Sequence, residues 1–214
     1  MPERFPGYDV LEKQGTPSWN QVTRTVIERR LATPREPRFF TTEEWRALEA
    51  LCGRILPQPP DRPPIPIAAL IDAKLLAGDT QGYSIGAVPH DREAWRIGLA
   101  ALDAEARQAH GEAFHDLSSE RQDALLARAQ RGELDDVAWR GMPSDLFFAK
   151  RVLADIPAAY YAHPTAWNEI GFGGPASPRG YVRMALDRRD PWEAAEAAPG
   201  HEAEAARKNR RVGR

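Results

Sequence analysis

The chain has 214 residues, a mass of 23.9 kDa, 42% apolar and 28% charged residues, a formal net charge of −2 and an isoelectric point near 6.2. That is the balance of a folded globular chain, and its near-neutral charge argues against a nucleic-acid binder with a large basic excess. The single cysteine, Cys52, excludes an intrachain disulfide, and from this chain alone a CxxC metal site, a cysteine-ligated iron–sulfur cluster or a covalent CxxCH haem.

Residues 1–38 are polar and punctuated by proline, and read as an extended arm with one short helix over 19–31 capped by Ser18. Such an arm either moves or lies on something else. It shows no apolar h-region and no small-residue cleavage pattern, so a classical signal peptide is not expected. Arg29-Arg30 is followed by the polar, proline-broken LATPREPRFF, where a twin-arginine signal would need an apolar stretch. No run approaches the roughly 18 apolar residues of a membrane span. The expectation is a soluble chain, cytoplasmic by default.

At Thr41 the texture changes. Thr41 and Glu44 have capping-box spacing, Trp45, Leu48, Cys52 and Ile55 share a helical stripe, and Pro57 ends the segment. QPPDRPPIP is a stiff linker. IAALIDAKLLAG follows as a helix stopped by Gly78. After the loop GYSIGAVPHD, Trp95, Leu99, Leu102 and Ala106 mark a helix from about Arg92 to His110, closed by Gly111. Asp116 or Ser118 caps the next helix, which Gly132 ends. The longest apolar helix runs from about Ser144 to Ala162, with Leu146, Ala149, Leu153, Ile156 and Tyr160 on one face and Phe147 and Phe148 widening it; Pro157 predicts a kink. No segment alternates with period two. The fold class is therefore all-α, a compact domain of five or six helices.

Beyond His163-Pro164 the segment TAWNEIGFGGPASPRGYVRM mixes Gly, Pro and aromatic residues and needs a surface to cover. The last stretch is rich in alanine and charge, with five Lys/Arg among the final eight residues, and reads as disordered or a frayed helix. The resulting division is an arm over 1–38, a helical domain over 39–190 and a flexible charged tail over 191–214.

Candidate chemistry is sparse. Cys52 sits on an apolar stripe and reads as a buried structural thiol. His110 and His115 are five apart with Gly111 between them, the wrong spacing for a helical zinc pair, and no HExxH occurs. His163 suits a helix cap. GFGGPASPRG follows a helix rather than a strand and lacks Lys-Ser/Thr, so it does not match a phosphate loop; Ser177 has no GxSxG context. No catalytic constellation, cofactor site or metal site emerges. An arm, a helical body and an aromatic Gly/Pro segment suit a protein that packs against a partner.

The run from Tyr160 to Tyr181, YYAHPTAWNEIGFGGPASPRGY, resembles the signature of the gluconate 2-dehydrogenase subunit 3 family, and FTTEEWRALEALCGRILP and DLFFAKRVLADIP are similar to that family as well. The resemblance spans about residues 39–190. It implies a small, non-catalytic subunit beside a large FAD-dependent oxidoreductase of the glucose-methanol-choline (GMC) type, acting on sugars, sugar acids, polyols or glycosides, in some complexes with a cytochrome c subunit. Several members carry a twin-arginine signal and escort the large subunit. The lack of one here implies a cytoplasmic pair, or a periplasmic pair exported on the partner's signal. FAD is expected in the partner and no cofactor in this chain. The residues assigned to the partner contact are Tyr8, Trp19, Tyr161, His163, Trp167, Asn168, Glu169, Phe172, Arg179 and Tyr181. Trp167 and Phe172 suit the chain's own core equally well. Two other readings stay open: a transient assembly chaperone, and a standalone helical binding protein or enzyme with a site near His163, Asn168 and Glu169.

Overall fold

The computed structural model describes residues 3–60, 62–79, 86–177, 180, 190 and 192–212. Its helices are α1 (Gln21–Leu31), α2 (Thr42–Ile55), α3 (Ile67–Ala77), α4 (Asp91–His110), α5 (Ser119–Gln130), α6 (Ser144–Phe147), α7 (Leu153–Ala162), α8 (Pro164–Ile170) and α9 (Glu202–Asn209), with short 3-10 turns at Val10–Gly15, Phe114–Asp116 and Val137–Trp139. The fold is all-α, and no strand occurs among the described residues.

The chain divides into two compact units, one of Thr33–Tyr160 and one of both chain ends, Met1–Ala32 with Tyr161–Arg214. This differs from the arm, domain and tail expected for 1–38, 39–190 and 191–214. The N-terminal residues do not extend as an arm, because apolar side chains such as Val10 and Trp19 bury themselves against the C-terminal part of the same chain. The tail contains α9, whose Ala205 and Asn209 are buried.

In the Thr33–Tyr160 unit the local signals act as expected. Thr41 and Glu44 form a reciprocal capping box on α2. Gly78 and Gly111 end α3 and α4 in the left-handed conformation that glycine adopts without penalty. Ser118 caps α5, its hydroxyl accepting from the Arg121 amide. Ahead of α2, the buried Asp72 carboxylate accepts from the amides of Arg38, Phe39 and Phe40 at 2.9–3.2 Å, which satisfies donors no helix could pair.

The core gathers on Trp95 and Phe147, whose rings meet edge to face at 5.6 Å. Gly98 on α4 makes room for them, since a Cβ there would lie 2.2 Å from the Phe147 ring. A network of four charges, buried except for the one-fifth-exposed Lys74, threads the same core. Lys74 pairs with Asp155 at 2.8 Å and Asp91 at 3.5 Å, Arg151 pairs with Asp91 at 2.8 Å, and the Trp95 indole donates to Asp155 at 2.8 Å. Two cations and two carboxylates cancel, so no net charge is buried.

The long apolar helix departs from its expected face. Between α6 and α7 the chain makes a π-helical turn, Phe148–Val152. This inserts an extra residue into the repeat. Buried positions then step by five across the turn, from Phe147 to Val152, and by four to Ile156 and Tyr160. Leu153, expected in the core, is 43% exposed, and Ala149 is exposed too. The helical path continues through Pro157, and the irregularity lies one turn earlier than the expected kink.

Candidate functional site

The signature segment lies in the unit built from both chain ends. His163, expected to cap the end of a helix, instead caps the start of α8: its Nδ1 accepts from the Thr165 amide at 3.3 Å, and Pro164 occupies the first helical position, where a missing N–H costs nothing. Gly171 ends α8 with φ +65°, and the Phe172 amide returns to the Trp167 carbonyl at 2.9 Å.

The glycines that follow are packing positions. A Cβ on Gly171 would lie 2.4 Å from the Phe5 ring, one on Gly173 would lie 3.1 Å from Lys13 Nζ, and one on Gly174 would lie 3.0 Å from Trp167 and 3.1 Å from Trp19. N-terminal side chains therefore press on the loop where side chains are missing. Polar contacts add register. Asn168 Oδ1 accepts from the Val10 amide at 2.8 Å, the Lys13 ammonium donates to the Gly173 carbonyl, and Ser177 exchanges backbone hydrogen bonds with Ser18 and Asn20, each 2.9 Å. Asn20, not Ser18, caps α1, since Ser18 is buried in this bridge. Phe5, Tyr8, Val10, Trp19, Ile27, Trp167, Ala194 and Val212 form one buried cluster.

The assigned contact residues thus separate. Tyr8, Trp19 and Trp167 are interior residues, and the buried His163 serves as a cap, so none of the four presents a surface in this conformation. Asn168 is half-buried and ties the two chain ends together. Tyr161, Glu169 and Phe172 face outward, the Phe172 ring also meeting Trp167 edge to face at 5.5 Å. Arg179 and Tyr181 lie outside the described residues. Phe5, Asp9 and Lys13 were not anticipated. Asp9 had a legible signal, a helix-capping residue before VLEK, and its carboxylate accepts from the Leu11 amide. A lone lysine such as Lys13 reads as a solvated charge until its surroundings are known.

Burial lowers the Lys13 ammonium to about 8 from its ordinary 10.5, against the opposing pull of Glu193 and Asp190. Between those pH values the unfolded chain holds a proton that the folded chain lacks. Stability therefore rises with pH from about 8 to 10.5, by roughly 1 kcal/mol per pH unit from this group, and is insensitive to it below 8. Urea midpoints at pH 8 and pH 10 should show a larger rise for wild type than for Lys13→Met; equal rises would contradict this.

Cys52 is 6% exposed, and burial, helped by Glu49, pushes its thiol well above the ordinary range. Iodoacetamide at pH 8 should leave it unmodified in the folded chain and alkylate it once urea unfolds the protein. Among the described residues no group of three or more His, Cys, Asp or Glu is placed to hold a metal ion, and no helix is long and apolar enough to cross a membrane. Two clefts, of about 600 and 280 Å³, lie in the Thr33–Tyr160 unit, and neither is lined by His163, Asn168 or Glu169.

A family model described as gluconate 2-dehydrogenase subunit 3 matches residues 42–174. No curated protein and no solved structure matches the chain.

Proposed function

The chain belongs to the gluconate 2-dehydrogenase subunit 3 family, and from that premise we propose that it is a non-catalytic small subunit that binds and stabilises a large FAD-dependent catalytic subunit of the GMC type. Membership makes it an accessory subunit of a dehydrogenase complex. The finer reading assigns FAD and the oxidation of a sugar, sugar acid, polyol or glycoside to the partner, with a cytochrome c subunit as the electron acceptor in complexes that contain one.

The observation that supports this reading is the outer surface of the unit that carries the signature. Tyr161, Ile170 and Phe172 are 48%, 46% and 41% exposed, and Phe5, Lys13 and Trp19 pack against the backbone at Gly171, Gly173 and Gly174, beside the last two. The same unit leaves Val22 and Val26, one turn apart on α1, 70% and 40% exposed. A pinned backbone offering aromatic and aliphatic side chains suits an obligate interface, which buries about 2,000 Å² or more around apolar anchors. The standalone site at His163, Asn168 and Glu169 has less support, because His163 Nδ1 and Asn168 Oδ1 are already taken up by backbone amides.

Co-expression tests the reading. The catalytic subunit produced with this chain should be soluble, FAD-loaded and active, and produced alone it should be largely insoluble or flavin-free. Equal yield, flavin content and turnover in both cases would refute it. Retention of this chain in the purified active enzyme marks a permanent subunit; its absence marks a transient chaperone.

A further inference from the structure

The cleft of about 600 Å³ in the Thr33–Tyr160 unit has a charge pattern that the fold does not use. Phe39, Ile97 and Ala138 give it an apolar lining. Two guanidiniums lie over the Phe39 ring, Arg96 at 4.4 Å and Arg92 at 5.0 Å. Arg96 is committed, donating to both Glu44 oxygens at 2.8 and 3.0 Å and to the Phe39 carbonyl at 2.6 Å. That pairing neutralises Glu44. Arg92, Arg140 and Glu93 remain, an excess of one positive charge.

Arg92 and Arg140 are both exposed, and among the described residues neither pairs with a carboxylate. Arg140 is also the one non-glycine among the described residues with a positive φ, 50°. An L residue is strained in that conformation, and Gly141 directly follows, so strain is retained at a residue lining the cleft. Beside it in the chain, Val137 is 89% exposed, which extends the apolar surface next to Ala138.

We propose that this cleft docks an acidic segment of the catalytic subunit, one that places an apolar side chain against Phe39 and Ile97 and carboxylates on Arg92 and Arg140. The inference rests on the small-subunit reading. Charge complementarity selects the occupant: an apolar lining with two guanidiniums at its edge that lack a carboxylate partner matches a peptide carrying both features. A small inorganic anion would leave most of the apolar lining uncovered.

The test co-expresses the tagged catalytic subunit with wild-type chain, the Arg92→Glu/Arg140→Glu variant or the Arg92→Lys/Arg140→Lys variant, purifies each complex, and measures its dissociation constant by dilution at low and high salt. Both positions are exposed, and unchanged melting and circular dichroism verify that the variants fold. Charge reversal should weaken binding at low salt by about tenfold or more, and the gap should narrow at high salt. The Lys pair should stay within about threefold of wild type, since charge is kept and only fork geometry is lost. Equal affinity and equal salt response for wild type and the Glu pair would overturn the inference while leaving the small-subunit reading intact. Failure of wild type to bind the flavoprotein at all would overturn both. Competition by millimolar inorganic phosphate, matching the loss seen in the Glu pair, would overturn the peptide assignment in favour of a small-anion site.

Discussion

Gly171→Ala should destabilise the unit of the two chain ends by about 2–5 kcal/mol. The left-handed backbone costs alanine about 1–2 kcal/mol, and forcing a methyl into a packed ring adds about 1–3 kcal/mol. Here φ is +65°, and the added Cβ would lie 2.4 Å from the Phe5 ring. Gly78→Ala supplies the comparison, because Gly78 has φ +75° but nothing within 4 Å of the missing Cβ, so only the backbone cost of about 1–2 kcal/mol applies. Hydrogen exchange at the Val10 amide, bonded to Asn168 at 2.8 Å, reports the opening of this unit directly. The double variant Phe5→Ala/Gly171→Ala should cost less than the two single changes together, since the overlap that Gly171→Ala creates is gone. Strict additivity would mean that Phe5 does not press on Gly171. In co-expression, Gly171→Ala should also lower the yield of active complex, because the exposed Ile170 and Phe172 flank the loosened turn.

Asp155→Ala should cost about 3–5 kcal/mol, the range for breaking a buried ion pair by removing one partner. The loss leaves Lys74 with only the longer contact to Asp91 at 3.5 Å, and it strands the fully buried Trp95 indole N–H. Asp155→Asn should cost less, because an amide oxygen can still accept from the indole. Urea unfolding followed by tryptophan fluorescence measures both. Equal and small losses for the two variants would show that the network contributes little to this core. The charges balance within the network, so Asp155→Ala leaves a net positive charge in a site that was neutral.

Much of the helical body was legible without coordinates. The capping box of Thr41 and Glu44, the Ser118 cap and the glycine stops at Gly78 and Gly111 are local events, each completed by groups within about four residues. The face of the longest helix agrees with the expectation at Ile156 and Tyr160, which are buried, and differs at Ala149 and Leu153, which are exposed. Those two positions lie within and directly after the π-helical turn at Phe148–Val152, where the repeat departs from 3.6 residues per turn. Nothing in the hydrophobic pattern announces that departure, because Leu146, Phe147 and Phe148 supply apolar residues for either register.

The candidate site was legible in one half. The segment from Tyr160 to Ser177 stood out through its composition and its family resemblance, and the family match reaches Gly174. What supports it was not legible, since Phe5, Lys13 and Trp19 lie more than 140 residues earlier in the chain. Contacts such as Val10 with Asn168, 158 residues apart, depend on closing a long loop, and no local spacing encodes them. The sequence by itself determined the helical class, the caps of α2 and α5, the glycine stops of α3 and α4, the lone buried thiol and the family. Only the tertiary structure decided that both chain ends form one unit, that Tyr8, Trp19 and Trp167 are core rather than contact surface, and that Arg92, Arg96 and Arg140 share a cleft. Capping and helix termination satisfy backbone groups with neighbours in sequence, whereas burial and charge pairing depend on which distant residues the folded chain brings together.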